Sequence, residues 1–140
     1  MYEKELKSLI ENRSDHKLNG TSEEKIKEIE STLDVTLPDS YKWLLKEYSS
    51  VSFDGLEIDG IGFNDVHISL NNTLDWKEYG IPNGYVVIFE PGADWIYCLD
   101  TTQMDKGECP IVAWYQGQDK GEKEADNLYV FIKQELELTD

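Results

Sequence analysis

The spacing of apolar residues changes near Ser50, and this change constrains the fold more than any other feature of the sequence. Before Ser50, apolar residues recur at intervals of three and four, which is typical of helices. After it, short apolar runs alternate with glycine-containing and polar clusters, which is typical of strands and turns. A chain of 140 residues is long enough for one domain with a sizeable core. Because no repeat or linker interrupts it, the pattern predicts a single α+β domain over residues 1–140.

Three helices are predicted before the change in spacing, over residues 2–12, 22–33 and 38–48. Thr21 and Glu24 have the spacing of a capping box, in which each side chain bonds a backbone N–H group at the start of the second helix. Pro38 and Asp39 favour the start of the third helix, because proline has a suitable φ and aspartate complements the helix dipole. The third helix carries its expected buried face at Tyr41, Leu44, Leu45 and Tyr48.

Strands dominate the prediction for the second part of the chain. The glycine-containing stretch 53–63 is predicted to form short strands and turns, and longer strands are predicted over residues 85–90, 95–100 and 110–115. The last two are expected to pair as antiparallel neighbours. Two more helices are predicted: one ends near Gly80 and has its apolar face at Val66, Leu70 and Leu74, and the other is C-terminal, with Leu128, Phe131, Ile132 and Leu136. The polar stretches 13–20 and 116–126 are predicted to be loops.

Acidic residues outnumber basic ones by 29 to 13, which gives a formal net charge of −16. The imbalance is greatest from Glu47 to Asp105, where 11 acids accompany a single base, Lys77. A surface with this charge repels nucleic acid and anionic membranes, and it attracts basic proteins. Solubility alone is the alternative explanation. No apolar run approaches the ~18 residues of a membrane span, and the N-terminus lacks an apolar signal core, so a cytoplasmic protein is expected.

Groups that could support catalysis or metal binding are scarce. His16 and His67 each lack a second histidine or cysteine at the spacing of a metal site. Cys98 and Cys109 are expected to be free thiols, and Cys98 lies in an apolar strand where a thiol is usually inert. The stretch 54–62 matches neither a calcium loop nor a phosphate-binding loop. The sequence therefore predicts no enzyme activity, no cofactor and no metal.

Two blocks of the sequence together resemble a known family. The first covers residues 26–50 and places Leu37, Pro38, Tyr41, Leu44 and Leu45 in the order Leu-Pro, two variable residues, Tyr and an aromatic-leucine helix. The second covers residues 86–115 and contains a glycine-acid turn, a strand ending in Asp and a Gly-x-x-Pro sequence. Its matching residues are Gly92, Asp94, Tyr97, Leu99, Asp100 and Pro110. In this order the blocks resemble the SUKH superfamily, the Smi/Knr-like proteins, over roughly residues 22–136.

One departure from the family pattern lies at the end of the third helix, where this chain has Tyr48-Ser-Ser and the family commonly has an Asn-Gly-Gly-like stop. The resemblance implies a SUKH-like fold, with N-terminal helices packed on a mainly antiparallel sheet and a C-terminal helix. It also implies an immunity protein, or antitoxin, that binds and neutralises a secreted toxin. The resemblance is greatest to Gram-positive members paired with LXG-type toxins.

Three functions are compatible with these observations. The first is an immunity protein that covers the basic, phosphate-gripping surface of a nuclease toxin domain with its own acidic surface. The second is an intracellular regulator or scaffold of the Smi/Knr-like type, and the third is an enzyme that uses carboxylates. Oligomeric state is left open. The candidate toxin-binding residues, chosen for their charge and loop positions, are Asp54, Glu57, Asp59, Asp65, Glu90 and Asp94.

Overall fold

A computed structural model of the chain describes residues 3–14, 16–17, 19–53, 55–92 and 94–138. Within these ranges the chain forms five α-helices and two antiparallel sheets, which confirms the α+β class and the C-terminal helix. The helices are α1 (Glu3–Arg13), α2 (Glu23–Leu33), α3 (Asp39–Tyr48), α4 (Ile68–Lys77) and α5 (Leu128–Leu138). The strands are β1 (His16–Lys17), β2 (Val51–Phe53), β3 (Leu56–Ile58), β4 (Tyr85–Phe89), β5 (Trp95–Asp100), β6 (Ile111–Tyr115) and β7 (Glu122–Ala125).

Helix α2 begins one residue later than a capping box at Thr21 requires, so that prediction is wrong. Ser22 is the N-cap, and its side chain accepts a hydrogen bond from the Lys25 N–H at 3.3 Å. The Thr21 N–H instead donates to the Leu45 carbonyl oxygen in α3, at 2.8 Å. This bond holds Thr21 outside the helix and ties the start of α2 to α3.

Helix α3 confirms the predicted buried face, because Tyr41, Leu44, Leu45 and Tyr48 are all within the core. Pro38 has extended backbone and serves as the N-cap, so the helix starts at Asp39. At the other end, the Ser49 N–H donates to the Leu45 carbonyl oxygen at 3.0 Å, with φ at 64°. Positive φ favours glycine, so Ser49 takes the conformation that the glycine of the family's usual helix stop would adopt more easily.

The N-terminus of α3 is held by the loop between β5 and β6. The Asp39 N–H donates to the Gly107 carbonyl oxygen at 2.8 Å. The next residue, Ser40, donates to the Glu108 carboxylate twice, from its N–H at 3.0 Å and from its hydroxyl at 2.6 Å. A carboxylate from a distant loop thus supplies the cap that Pro38, which has no polar side chain, does not provide.

The larger sheet has the strand order β4-β5-β6-β7 and is buried on both faces. One face packs on the main core, which the helices complete. The opposite face carries a second, smaller cluster, formed by Ile81, Tyr85, Val87, Ile96, Cys98, Val112 and Trp114, with Trp76 of α4 packed against it. The predicted pairing of β5 with β6 is confirmed, with Trp95 opposite Tyr115 and Leu99 opposite Ile111.

Two segments predicted as loops contain strands. Glu122–Ala125 pairs with β6 as an edge strand, and His16–Lys17 pairs with β2. In β7 only Ala125 is buried, while the other three residues are exposed. Backbone hydrogen bonds create such edge strands without an apolar face, so apolar spacing does not reveal them.

The apolar face predicted for α4 is also wrong. Among its expected members only Leu70 is buried, whereas Leu74 is 39% exposed and Val66, which precedes the helix, is 50% exposed. The buried face of α4 carries hydroxyl groups instead: the Ser69 hydroxyl donates to the Val87 carbonyl oxygen at 2.5 Å, and the Val87 N–H donates to the Thr73 hydroxyl oxygen at 2.9 Å. Polar bonds to β4 therefore replace part of the usual apolar packing.

The cap on α3 leads to a prediction about stability. Replacing Glu108 by alanine should lower the free energy of unfolding by about 2 kcal/mol, since hydrogen bonds to charged groups contribute roughly 1.5–3 kcal/mol. Asp105→Ala is the matched control, because it removes an exposed carboxylate from the same loop and keeps the backbone bonds. Urea unfolding of both variants measures the difference. Equal losses in the two variants would contradict a capping role for Glu108.

Candidate functional site

Three of the six candidate residues lie together in space: Glu57 in β3, Asp59 just after β3, and Glu90 just after β4. The Asp59 N–H donates to the Ile88 carbonyl oxygen at 2.7 Å, which joins the end of β3 to β4. Glu57 and Glu90 lie close enough to Asp59 for their negative charges to act on its carboxyl group. We refer to these three residues as the acidic cluster.

Helix α3 is hydrogen-bonded to the backbone of the acidic cluster. The Tyr41 hydroxyl donates to the Asp59 carbonyl oxygen at 2.5 Å. Tyr41 is completely buried, and burial raises the pKa of its hydroxyl, so the hydroxyl keeps the proton that it donates. The backbone at Asp59 is therefore fixed from both sides, by α3 and by β4, while its side chain faces the other carboxylates.

The surroundings of Asp59 disfavour its ionised form. Burial, and then the negative charges of Glu57 and Glu90, raise the pKa of Asp59 from 3.8 to about 7. At neutral pH, protonated and ionised Asp59 are both populated. Glu90 also accepts a hydrogen bond from the Trp76 indole N–H at 2.8 Å, which orients its carboxylate.

A tight loop, residues 62–66, lies beside the acidic cluster and exposes apolar side chains. An antiparallel bridge between Ile61 and His67 closes the loop, and the Gly62 N–H donates to the Val66 carbonyl oxygen at 2.8 Å. Phe63 is 68% exposed and Val66 is 50% exposed. Two exposed apolar side chains on one short loop make the loop a candidate contact surface.

A cleft of about 180 Å³ separates this loop from the acidic cluster. Its walls come from β2, from β3 with the residues that follow it, and from the start of α4, and include Ser50, Ser52, Glu57, Asp59, Phe63 and Ile68. The cleft thus places two carboxyl groups and one exposed aromatic ring around the same space. This combination suits a ligand group that is both cationic and partly apolar.

The remaining candidate residues lie outside the cleft. Asp65 is exposed on the 62–66 loop, where its carbonyl oxygen accepts a hydrogen bond from the Lys25 ammonium at 3.5 Å. Asp94 is exposed on the β4–β5 turn, and its carbonyl oxygen accepts from the Gln116 N–H at 3.0 Å. Asp54 lies outside the described residues.

Two larger hollows have a different chemical character. One, of about 530 Å³, has a single acid, Asp34, on its wall. The other, of about 590 Å³, lies near the β5–β6 loop and mixes Lys106 and Lys123 with acids. Neither combines unbalanced negative charge with an exposed aromatic ring, so the smaller cleft is the better candidate site.

The cysteines and histidines have structural surroundings. Both thiols are free and buried; burial raises the pKa of Cys98 well above its ordinary value and that of Cys109 to about 12, so neither thiolate forms near neutral pH. His67 pairs through Nε2 with Glu28 at 2.8 Å, and His16 lies in β1. Among the described residues, no group of three or more His, Cys, Asp or Glu side chains is arranged to hold a metal.

Phe63 and Val66 are the site residues that sequence reasoning missed. The sequence placed Phe63 in a strand-and-turn region and Val66 on the apolar face of a helix. The available signal was the density of glycine and turn-forming residues from Gly60 to Asp65, which favours a loop.

The fold and the cleft can now be set beside known proteins. The sequence model of the family described as SMI1-KNR4 cell-wall (SUKH_5) matches residues 2–137, almost the whole chain. The chain belongs to the SUKH family. This family is not known as an enzyme family, and membership is consistent with an immunity protein and with binding to a partner protein. Among the residues that the structure describes, no helix is both long and apolar enough to cross a bilayer.

The raised pKa of Asp59 leads to a prediction about pH dependence. A carboxyl whose pKa is higher in the folded state stabilises the fold below its ordinary pKa, and this contribution is lost as pH rises from about 4 to about 7. Asp59→Asn should therefore reduce the fall in the free energy of unfolding between about pH 4 and about pH 7. One pKa unit corresponds to about 1.4 kcal/mol. The difference in free energy of unfolding between the variant and the natural chain should therefore change by roughly 2–4 kcal/mol between pH 4 and pH 8.

Urea unfolding at intervals of one pH unit measures this difference. Asp75→Asn is the control, since Asp75 is an exposed carboxylate on α4, and its curve should run parallel to that of the natural chain. A parallel curve for Asp59→Asn as well would show that Asp59 ionises in its ordinary range.

Proposed function

We propose that this SUKH protein is an immunity protein that binds and neutralises a secreted toxin, through the acidic surface around the cleft. The observation that carries the proposal is the close approach of Glu57, Asp59 and Glu90 beside the exposed ring of Phe63. A protein that had evolved only for solubility would gain nothing by crowding carboxylates, because crowding opposes their ionisation. A protein that meets a cationic surface gains from a concentrated negative charge.

The nature of the partner follows from the charge. The toxin domain that we propose is a basic nuclease, since an enzyme that grips phosphates presents lysine and arginine side chains. The candidate contact residues are Asp54, Glu57, Asp59, Asp65, Glu90 and Asp94. Exposed Phe63 and Val66 add apolar contact area next to them. Charge would then speed association, while the apolar contacts would slow dissociation.

The mechanism that we propose is occlusion rather than catalysis. The buried thiols and the paired His67 support a binding role, because none of these described side chains is an activated nucleophile. We also propose that the protein is a single domain over residues 1–140 and acts in the cytoplasm, where a toxin that reached nucleic acid would have to be stopped. We also propose that the toxin is of the LXG type.

A regulatory or scaffold role is the second candidate. The family's association with the cell wall favours a role in organising other cellular proteins. The two functions differ in their number of partners, because an antitoxin needs one tight partner and a scaffold needs several. Purification of the tagged protein from its own cells, followed by mass spectrometry, distinguishes one dominant partner from several.

Protection from a toxin tests the proposed function directly. Co-expression should rescue cells that produce the cognate toxin domain. A variant with three exposed acids of the proposed surface reversed should lose protection, with binding weakened about tenfold or more. The three changes are Glu57→Lys, Glu90→Lys and Asp94→Lys. A control with the same change in net charge reverses exposed acids on other parts of the chain: Glu5→Lys, Asp119→Lys and Glu137→Lys.

Salt dependence separates the role from its mechanism. If charge steers the complex, the association rate should fall steeply between low salt and 0.5 M NaCl, because screening shortens the reach of the acidic field. A surface-bound toxin domain and a series of salt concentrations measure this rate. If the protein protects cells but its association rate does not change with salt, the immunity role would be supported and the electrostatic mechanism would be overturned.

A further inference from the structure

The turn between α3 and β2 holds a rare backbone conformation. Ser49 has φ at 64° and ψ at −51°, and the Ser50 N–H donates to the Tyr48 carbonyl oxygen at 2.7 Å. A hydrogen bond that spans one residue with these angles defines a γ-turn of positive φ, which is a strained conformation. Strain of this kind persists only where the surrounding structure holds the residue in place. The bonds around Ser49 therefore indicate what the turn positions.

Ser49 is buried and is hydrogen-bonded to three parts of the chain. Its N–H donates to the Leu45 carbonyl oxygen in α3 at 3.0 Å, and its hydroxyl donates to the Asn19 carbonyl oxygen at 2.5 Å. Its own carbonyl oxygen accepts from the Ile61 N–H at 3.0 Å. The first two bonds hold the turn against its strain, and the third joins the turn to the residue that precedes the 62–66 loop.

The Ser50 hydroxyl makes two more bonds to the same segment. It accepts from the Gly60 N–H at 2.9 Å and donates to the Ile61 carbonyl oxygen at 3.0 Å. The contact is close, since a Cβ atom on Gly60 would clash with the Ser49 carbonyl oxygen. Ser49 and Ser50 thus hold two consecutive residues with three hydrogen bonds.

Both ends of the 62–66 loop are attached to Gly60 and Ile61. Ile61 forms the antiparallel bridge with His67 that closes the loop. The Gly60 carbonyl oxygen accepts from the Ile68 N–H at 3.0 Å, just beyond the loop. The position of the loop beside the cleft therefore depends on how these two residues are held.

We propose that Ser49 and Ser50 are positioning residues, which hold the 62–66 loop beside the cleft in the conformation that the partner binds. This inference rests on the proposed function, because the partner is the toxin domain. In an unstrained conformation of Ser49, its carbonyl oxygen and the Ser50 hydroxyl would point in other directions. The strain at Ser49 thus accompanies a loop that is ordered before binding, and such order lowers the entropy cost of association.

Two variants of residue 49 test the strain. Glycine in place of alanine usually destabilises a fold, but at positive φ this order is reversed. Ser49→Gly and Ser49→Ala lose the same hydroxyl, so they differ only in the Cβ atom. Ser49→Gly should therefore unfold at a higher urea concentration than Ser49→Ala, and its Gly62 N–H should exchange with solvent about fivefold more slowly. A glycine variant less stable than the alanine variant would contradict the strained turn.

Amide hydrogen exchange of the full chain, followed by nuclear magnetic resonance, tests the positioning of the loop. Ser50→Ala removes both hydroxyl bonds, and exchange at Gly60 rises for that reason alone. The bonds from the Gly62 N–H to Val66 and from the Ile68 N–H to Gly60 are not altered by the substitution itself. If Ser50 positions the loop, both of these amides should still exchange about tenfold faster, while exchange in β5 and β6 stays unchanged.

A conservative variant separates the hydroxyl bonds from other effects of the substitution. Ser50→Thr keeps a hydroxyl group and should restore the slower exchange at Gly62 and Ile68. Faster exchange of Ser50→Ala that is confined to Gly60 would overturn the positioning role, because the loop would then keep its shape without the serine.

Binding of the cognate toxin domain tests the consequence for function. Ser50→Ala should weaken the complex about five- to tenfold, because the loop must then be ordered on binding. Ser31→Ala, which removes an exposed hydroxyl from α2, should have no effect. Unchanged affinity for Ser50→Ala would overturn the role in binding, while co-expression tests the immunity role independently. If the protein fails to protect cells, the toxin is rejected as the partner, and the exchange rates still decide whether the serines hold the loop.

Discussion

The carboxylate of Glu108 and the N-terminus of α3 form the contact on which much of the structure depends. A helix leaves its first N–H groups unpaired, and Pro38 has no side chain that could pair with them. Glu108 pairs with the Ser40 N–H and hydroxyl, and Gly107 pairs with the Asp39 N–H. These bonds fix the helical part of the chain to the β5–β6 loop, so the two sequence blocks typical of the family meet at one point in space.

From this fixed helix, Tyr41 reaches the backbone beside the cleft. Its hydroxyl holds the backbone at Asp59, and the Asp59 N–H is bonded to β4. The acidic cluster is therefore attached to the core rather than carried on a free loop. Rigid attachment matters for a charged surface, because carboxylates that could move apart would relieve their own repulsion. Tyr41 therefore has two roles: it belongs to the sequence pattern of the family, and it holds the backbone of the acidic cluster in place.

The sequence predicted those parts of the fold that apolar spacing determines. The buried face of α3 and the pairing of β5 with β6 are examples, because burial selects apolar residues at regular intervals. It failed where polar bonds replace apolar packing, as with Ser69 and Thr73 of α4, and where backbone pairing creates an edge strand, as in β7. For the site, acidic composition pointed to Glu57, Asp59 and Glu90, but their proximity depends on long-range pairing, which spacing does not encode. Exposed Phe63 was missed for the same reason.

The surroundings of Asp59 oppose its charge, and this bears on the proposed binding function. Burial and the negative charges of Glu57 and Glu90 raise the pKa of Asp59 to about 7, so ionising Asp59 costs free energy that a nearby cation would lower. A cationic partner of the kind that we propose would therefore gain the energy of its own contacts and would also stabilise ionised Asp59. A neutral partner would gain neither. Under the proposed function, the crowding of carboxylates would thus favour basic surfaces over others.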